Sequence, residues 1–251
     1  MSIDSEKDLE GLRRIGRIVR LALEAMRKRV RPGVTTGELD EVGAEVLAKN
    51  GARSAPNLVY DFPRSICISV NDEAVHGIPG DRALAPGDVL KLDTTAEKDG
   101  YMADAAITVV VPPAPETARR LAACAQEAFF QAMKAARVGN RVNDIGRAVE
   151  AEVRRQGFSV LRDLSGHGIG RSIHEEPSVP NYYDPYSRHP LTEGLVLAVE
   201  PIISAGTSAR SARTVTDADG WTVRTADGSL AAHFEHTIVI TRGRPILLTA
   251  A

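Results

Sequence analysis

The sequence predicts an α+β fold made of two similar halves, with antiparallel strands at the centre and helices on the outside. Three observations predict it. Two early stretches have the apolar spacing of amphipathic helices, and two later apolar runs have the composition of paired strands. The same helix–helix–strand order then recurs in the second part of the chain.

The first two helices have recognisable start signals. Ser5, followed three residues later by Asp8, predicts the beginning of the first helix, and Thr35 with Glu38 predicts a capping box at the second. The apolar positions of the first helix recur at helical spacing: Leu12, Ile15, Val19, Leu23, Met26 and Val30. Gly51 closes the second helix.

The helical pattern repeats with an offset of 106 positions. Arg13-Arg14-Ile15 matches Arg119-Arg120-Leu121, and Lys49-Asn50-Gly51 matches Arg155-Gln156-Gly157. Two such stretches could resemble each other by chance. A duplication instead predicts two halves related by a pseudo-twofold axis, with a site between them.

The strands of the two halves also match, and each half carries two acids. Gly87–Asp93 corresponds to Gly194–Glu200, one position later in register, and Asp104 corresponds to Glu235. These matching carboxylates favour duplication over chance.

Asp99-Gly100 is a strong two-residue hairpin signal between two apolar, β-branched runs. The runs cover residues 89–96 and 101–111. If those two residues form the turn, position i faces position 199 minus i, and Asp93 faces Ala106. Asp93 then lies diagonal to Asp104, with backbones roughly 7 Å apart on one face of the hairpin.

Buried carboxylates without partners are costly, and a metal cation is an effective compensation for several of them. Asp93, Asp104, Glu200 and Glu235 all lie in or beside apolar runs. Either pair alone is also compatible with surface residues on an edge strand. The four acids together with one histidine predict a metal site.

That histidine is His167, in the glycine-rich stretch Ser165–Gly170. The glycine spacing does not match a dinucleotide fingerprint. His174-Glu175-Glu176-Pro177 is not a zincin helix, because no second histidine follows and proline interrupts it.

Composition limits the other functional classes. The chain has 251 residues, a formal net charge of −2 and two cysteines without paired spacing. We therefore expect one catalytic domain over residues 1–251, with halves at roughly 5–112 and 113–251. We also expect a cytoplasmic monomer that binds neither DNA nor membranes.

Several short sequence motifs resemble those of a known family. They are His76-Gly77-Ile78-Pro79, Leu92-Asp93, Asp104, the stretch from Gly166 to Pro177, Val199-Glu200-Pro201 and Phe234-Glu235-His236-Thr237. In these motifs the chain closely resembles type I methionine aminopeptidases, the short bacterial kind. The resemblance covers essentially the whole chain and implies the pita-bread fold, with a curved antiparallel sheet at its centre.

The resemblance implies five metal ligands and two divalent ions per chain. The ligands are Asp93, Asp104, His167, Glu200 and Glu235. Oxygen ligands with one imidazole suit cobalt, manganese or iron, and zinc is a further candidate. The family uses a hydroxide activated by both ions to remove the initiator methionine from nascent N-termini whose second residue is small.

The remaining roles are also implied by the resemblance. Glu200 is the general base, His174 donates to the carbonyl oxygen of the substrate, and His76 bonds the peptide nitrogen of the leaving residue. Phe62, Cys67, Ile173 and Trp221 line the methionine pocket, to which Tyr60 or Val59 could add. Without the family motifs around them, His76 and His174 could equally be core residues whose ring nitrogens are hydrogen-bonded within the protein.

Two of the features that depart from the family pattern concern the candidate site. His233 stands where many relatives carry glutamine, and it shares a strand face with Glu235, so we expect it to lie directly behind the ligands. The other feature is the segment Val59-Tyr60-Asp61-Phe62, which stands where the family has a motif similar to Tyr-His-Gly-Phe. We expect this difference to change the rim of the pocket.

Two rival functions share the fold. An Xaa-Pro peptidase has the same ligands but usually an additional N-terminal domain. A non-catalytic module for peptides or the ribosome is the other rival, and loss of ligands would favour it. The basic residues between Arg13 and Arg31 could weakly contact ribosomal RNA, although a solvated helix face is the simpler interpretation.

Overall fold

The computed structural model describes residues 1–250. Its helices are α1 Glu6–Arg27, α2 Thr36–Lys49, α3 Ala55–Tyr60, α4 Glu116–Ala135 and α5 Val142–Arg155, with a short 3-10 helix at Arg210–Ala212. The strands are β1 Arg53–Ser54, β2 Cys67–Val70, β3 Glu73–Val75, β4 Val89–Lys98, β5 Tyr101–Val110, β6 Ser159–Val160, β7 Ser165–Gly168, β8 Glu175–Pro180, β9 Val196–Val199, β10 Ile202–Ser204, β11 Thr214–Thr216, β12 Val223–Thr225, β13 Ala231–His233, β14 His236–Val239 and β15 Ile246–Leu247.

The predicted helix starts are confirmed. The Ser5 hydroxyl accepts a hydrogen bond from the Asp8 amide at 3.2 Å, and Thr35 with Glu38 forms a capping box. Helix α1 ends at Arg27, so the prediction that Val30 belongs to it is wrong. The Val30 amide bonds Arg27 O, three residues back, in a tighter turn that breaks the helical pattern.

The β4–β5 hairpin has the predicted register. Asp93 pairs with Ala106, and Thr95 stands directly opposite Asp104. Both turn residues have positive φ, 53° at Asp99 and 78° at Gly100, as a type I′ turn requires.

All strand pairs are antiparallel and form four hydrogen-bonded groups. In the first half, β4 pairs with β1, β2 and β5. In the second half, the order is β15-β14-β9-β7-β8. Two three-stranded groups, β13-β10-β6 and β11-β12-β3, complete the arrangement. The α+β pattern with two helix pairs therefore agrees with the sequence prediction.

The halves meet through β5 and the residue before β14. The Glu235 amide donates to Ala106 O at 2.9 Å, and the Ala106 amide donates back to Glu235 O at 3.3 Å. The Thr237 hydroxyl accepts from the Asp104 amide and donates to Asp104 O, at 2.8 Å each. Backbone pairing across the junction thus sets the spacing of two acids from different halves.

Each helix pair covers its own apolar core. Helices α1 and α2 pack with β4 and β5, whereas α4 and α5 pack with the strands of the second half. Ile107, on β5, touches both cores. Within residues 1–250, no helix combines the length and apolar character needed to cross a membrane.

Replacing Thr237 with valine tests the junction. We expect Thr237→Val to lower the free energy of unfolding by about 1–3 kcal/mol, because the buried Asp104 amide loses its acceptor. Urea unfolding in the presence of a chelator measures this. Thr117→Val, at an exposed position of α4, is the control, and equal stability of the two variants would contradict the expectation.

Candidate functional site

One cavity of about 260 Å³ lies between the halves. It brings together all five residues implied as metal ligands: Asp93, Asp104, His167, Glu200 and Glu235. His76 and His174 line the same cavity. Residues separated by more than a hundred positions therefore share one small space.

The hairpin supplies the first two acids. Asp93 on β4 and Asp104 on β5 project from one face, because they are diagonal neighbours in the register. The Thr95 hydroxyl donates to Asp104 Oδ2 at 2.7 Å and so orients that carboxylate. Thr95 was not expected at the site from the sequence, although the predicted hairpin register places it directly opposite Asp104.

The second half supplies the other two acids at the ends of paired strands. Strand β9 ends at Val199, which pairs with His236 at the beginning of β14. Glu200 and Glu235 are the next residues on either side of that pair. The Asn181 side chain donates to Glu200 O at 2.8 Å and holds the strand end.

His167 lies on β7, where the glycines allow close packing. A Cβ at Gly166 would lie 2.4 Å from Ala198 O, and one at Gly168 would lie 2.3 Å from Glu176 O. His167 Nδ1 is 2.8 Å from Gly168 O. Since a carbonyl only accepts, Nδ1 carries the proton and the Nε2 lone pair is free. Nε2 is 3.5 Å from Glu200 Oε1.

The carboxyl groups are buried without sufficient hydrogen-bond partners. Among residues 1–250, Asp93 Oδ1, Asp104 Oδ1 and Glu235 Oε1 are buried and unpartnered. Burial, together with neighbouring acids, raises the pKa of Asp93 and of Glu235 well above the ordinary range. Burial likewise raises the pKa of Glu200 to about 8. Without a cation, these groups resist ionisation.

These residues fit a divalent cation. One ligand atom from each of Asp104, His167 and Glu235 lies within 4.8 Å of the others, and the same holds for Glu200, His233 and Glu235. A cation would satisfy the unpartnered oxygens and stabilise their charged forms. Oxygen atoms and imidazole nitrogens suit first-row divalent metals.

The backbone directs His76 into the cavity. His76 has a positive φ of 57°, which is uncommon outside glycine. The next residue must be glycine, since a Cβ at Gly77 would lie 2.4 Å from Ile68 O. The His76 side chain is exposed, but it faces the cavity and not the outer surface. The protein atoms around the cavity lower the pKa of His76 by desolvation.

His174 packs against two aromatic rings. Its ring centroid lies 4.3 Å from that of His167, and its Nδ1 is 2.7 Å from the Tyr60 hydroxyl. Burial and the nearby His167 lower the pKa of His174 to about 4, so it is neutral near pH 7. The bond to Tyr60, 114 positions away, was not anticipated from the sequence.

The apolar wall contains the four expected residues Phe62, Cys67, Ile173 and Trp221. The Phe62 and Trp221 rings meet edge to face with centroids 5.2 Å apart. Tyr60 joins this wall, whereas Val59 does not. Sequence reasoning missed Pro56, Val75, Leu164 and Ile202, which also line the cavity.

Cys67 behaves as part of this wall and not as a reactive thiol. It is buried and pairs across the sheet with Asp93. Burial and the neighbouring acids raise the pKa of the Cys67 thiol well above its ordinary value. The thiolate needed for reactivity is therefore disfavoured.

Residues 10–242 match the model of metallopeptidase family M24. With its duplicated fold and its cluster of acids around one cavity, the chain belongs to this family of metal-dependent hydrolases.

The relatives narrow the class. The chain is 47% identical to methionine aminopeptidase 2 of Bacillus subtilis, over 99% of each chain. Its structure is similar to that of methionine aminopeptidase from Thermotoga maritima, with a TM-score of 0.95, 35% identity and complete coverage of both chains. A prolidase from Pyrococcus furiosus shares the fold at 22% identity and a TM-score of 0.78, and the chain covers 65% of it.

The raised carboxyl pKa values predict how the metal-stripped chain responds to pH. The pKa of Glu200 is 4.5 ordinarily and about 8 when folded, so the folded chain holds a proton that the unfolded chain releases. The associated stability is complete below pH of about 4.5 and is lost as the pH rises to about 8. Asp93 and Glu235 act in the same direction.

Thermal unfolding with excess chelator measures this effect. We expect the melting temperature to fall across that pH window and to fall less in Glu200→Gln, whose amide does not titrate. An identical fall in both proteins would contradict the assignment to Glu200.

Proposed function

We propose that the chain acts as a methionine aminopeptidase that hydrolyses the bond after an N-terminal initiator methionine when the second residue is small. The observation that carries this proposal is the convergence of four acids and His167 at one wall of a small apolar cavity. The full-length similarity to bacterial methionine aminopeptidases supports the same substrate.

Asp93, Asp104, His167, Glu200 and Glu235 would hold two divalent ions, with cobalt, manganese or iron favoured and zinc also suitable. Bound there, the ions supply Lewis-acid activation of a carbonyl and of water. Glu235 belongs to both groups of possible ligands in the cavity, so its carboxylate would help to hold the ions.

Glu200 is suited to move the proton in this reaction. Its carboxyl faces the cavity beside His167, with Oε1 3.5 Å from His167 Nε2. We assign Glu200 as the general base that takes a proton from the attacking water and passes it to the leaving amine.

The two cavity histidines are assigned to the peptide itself. A Tyr60 hydroxyl that donates to His174 Nδ1 leaves the proton on Nε2, where His174 can donate to a carbonyl oxygen as negative charge develops. His76, which follows β3 and lines the cavity, would bond the peptide nitrogen of the leaving residue. Both rings are mainly neutral near pH 7 because desolvation lowers their pKa.

The apolar wall would select methionine by shape. Phe62, Cys67, Ile173 and Trp221 offer apolar and aromatic surface without a fixed charge. A pocket of this kind discriminates by a few contacts, so rejection of other side chains should be graded.

The cellular setting follows from this substrate. We propose that the chain works as one catalytic unit, a cytoplasmic monomer acting on nascent polypeptides. A weak ribosome contact would use the basic face of α1, but Arg14 pairs with Asp99 at 2.9 Å and Arg20 pairs with Glu24 at 2.7 Å. These ion pairs favour a solvated helix face over an RNA surface.

Substrate choice separates this proposal from the Xaa-Pro peptidases, which share the fold. We expect the metal-loaded chain to release methionine from Met-Ala-Ser, to act poorly on Met-Lys-Ser, and to lose activity when stripped of metal. Peptide assays after adding back single metals measure this. Cleavage of Xaa-Pro peptides without cleavage of Met-Ala-Ser would support the rival.

Tyr60 provides a test of the role of His174. Tyr60→Phe keeps the ring that packs on His174 but removes the hydroxyl, so we expect kcat to fall about tenfold with little change in KM, the effect of one hydrogen bond. His174→Ala should reduce kcat by about 10²–10³.

In the His174→Ala background, Tyr60→Phe should have no further effect, because its partner is gone. Tyr186→Phe, at a side chain that is 89% exposed and outside the cavity, is the control. Full activity of Tyr60→Phe would show that the hydroxyl does not position His174.

A further inference from the structure

His233 lies deep in the wall behind the acids. It ends β13, and its side chain is 1% exposed. Its backbone is held on both sides by Thr108, which accepts from the His233 amide at 2.9 Å and donates to His233 O at 2.7 Å. The backbone position that carries the imidazole is therefore fixed by the adjoining strand β5.

Neither ring nitrogen of His233 has a hydrogen-bond partner, although both are buried. Native proteins rarely leave buried polar side-chain atoms unpartnered, and each such atom calls for an explanation such as an ion. Since no acceptor holds Nδ1 or Nε2, the ring can place its proton on Nδ1 and keep the Nε2 lone pair available.

The Nε2 atom points at two carboxylates at equal distances. It is 3.5 Å from Glu200 Oε2 and 3.5 Å from Glu235 Oε2. These separations exceed the roughly 2.7–3.2 Å of N–H···O hydrogen bonds. Two donor atoms that each lie about 2.1 Å from one tetrahedral ion are about 3.4 Å apart. The spacing thus fits ligands of a common ion better than a direct hydrogen bond.

The other carboxylate oxygen of Glu200 lies at the same distance from a second imidazole. Glu200 Oε1 is 3.5 Å from His167 Nε2, and Glu200 Oε2 is 3.5 Å from His233 Nε2. Each oxygen of this carboxylate therefore faces a different imidazole. Glu200, His233 and Glu235 also form a compact group with ligand atoms within 4.8 Å of one another.

We propose that His233 is a sixth metal ligand, which binds through Nε2 the ion held by Glu200 and Glu235. The inference rests on the metal centre of the proposed function and adds a nitrogen donor to it. Imidazole favours cobalt and zinc over manganese more strongly than oxygen donors do. His233 would therefore shift the metal preference of this chain toward cobalt and zinc.

Histidine 15N NMR of the zinc-loaded whole chain tests the bond directly. We expect Nε2 of two imidazoles to take the chemical shift of a metal-bound nitrogen. His167→Gln and His233→Gln should each remove one of these signals and so assign them. His236, whose Nδ1 is 2.8 Å from Thr249 Oγ1, is the internal control and should not shift on metal addition.

Isothermal titration calorimetry with zinc, cobalt and manganese separately tests the energetic role. Loss of an outer hydrogen-bond partner typically costs 10–100-fold in metal affinity. His233→Gln should lose at least about tenfold for zinc and cobalt and clearly less for manganese, while His236→Gln should bind all three like the parent chain.

The outcomes separate this inference from the proposed function. If the parent chain binds two metals but only His167 shows a metal-bound nitrogen, His233 is not a ligand and the inference is wrong, whatever the affinity of His233→Gln. If His233→Gln retains the parent affinities for zinc and cobalt, His233 contributes nothing to metal binding and the inference is equally wrong. If the parent chain binds no metal, the proposed function fails as well. The NMR result on the parent chain stands even if a variant folds poorly.

Discussion

The burial of four carboxylates at the junction of two halves is the constraint on which the rest of the structure depends. Asp93, Asp104, Glu200 and Glu235 share one small cavity, and one buried oxygen of each of Asp93, Asp104 and Glu235 has no hydrogen-bond partner. Such a cluster is costly unless a cation compensates its charge. The helices, strands and tight glycine contacts around it hold these acids together at the expense of local stability, as is common at functional sites.

The junction is built so that neither half can form the cluster alone. Each half contributes two acids from paired strands, and reciprocal backbone hydrogen bonds between Ala106 and Glu235 set their relative position. Thr237 adds a second clamp on the backbone of Asp104. The acid cluster is therefore complete only where the two halves pack, which explains why the site is central.

The histidines differ according to what surrounds their rings. His167 has its proton directed to Gly168 O and its lone pair toward the acids, whereas His174 is held by the Tyr60 hydroxyl outside the acid cluster. His233 has neither kind of partner and faces two carboxylates. The surroundings of each ring therefore decide which nitrogen the fold leaves free, and this difference underlies the three roles proposed for these histidines.

The sequence by itself determined the helix starts, the Asp99-Gly100 turn, the hairpin register and the duplication, because caps, turns and cross-strand pairs depend on residues close in the chain. The motifs shared with the family indicated the four acids and His167 as candidate metal ligands. Only the tertiary structure decided that Tyr60 reaches His174 and that His233 Nε2 stands between Glu200 and Glu235. Those contacts join separate elements, and their geometry depends on how whole strands pack, which no local pattern encodes.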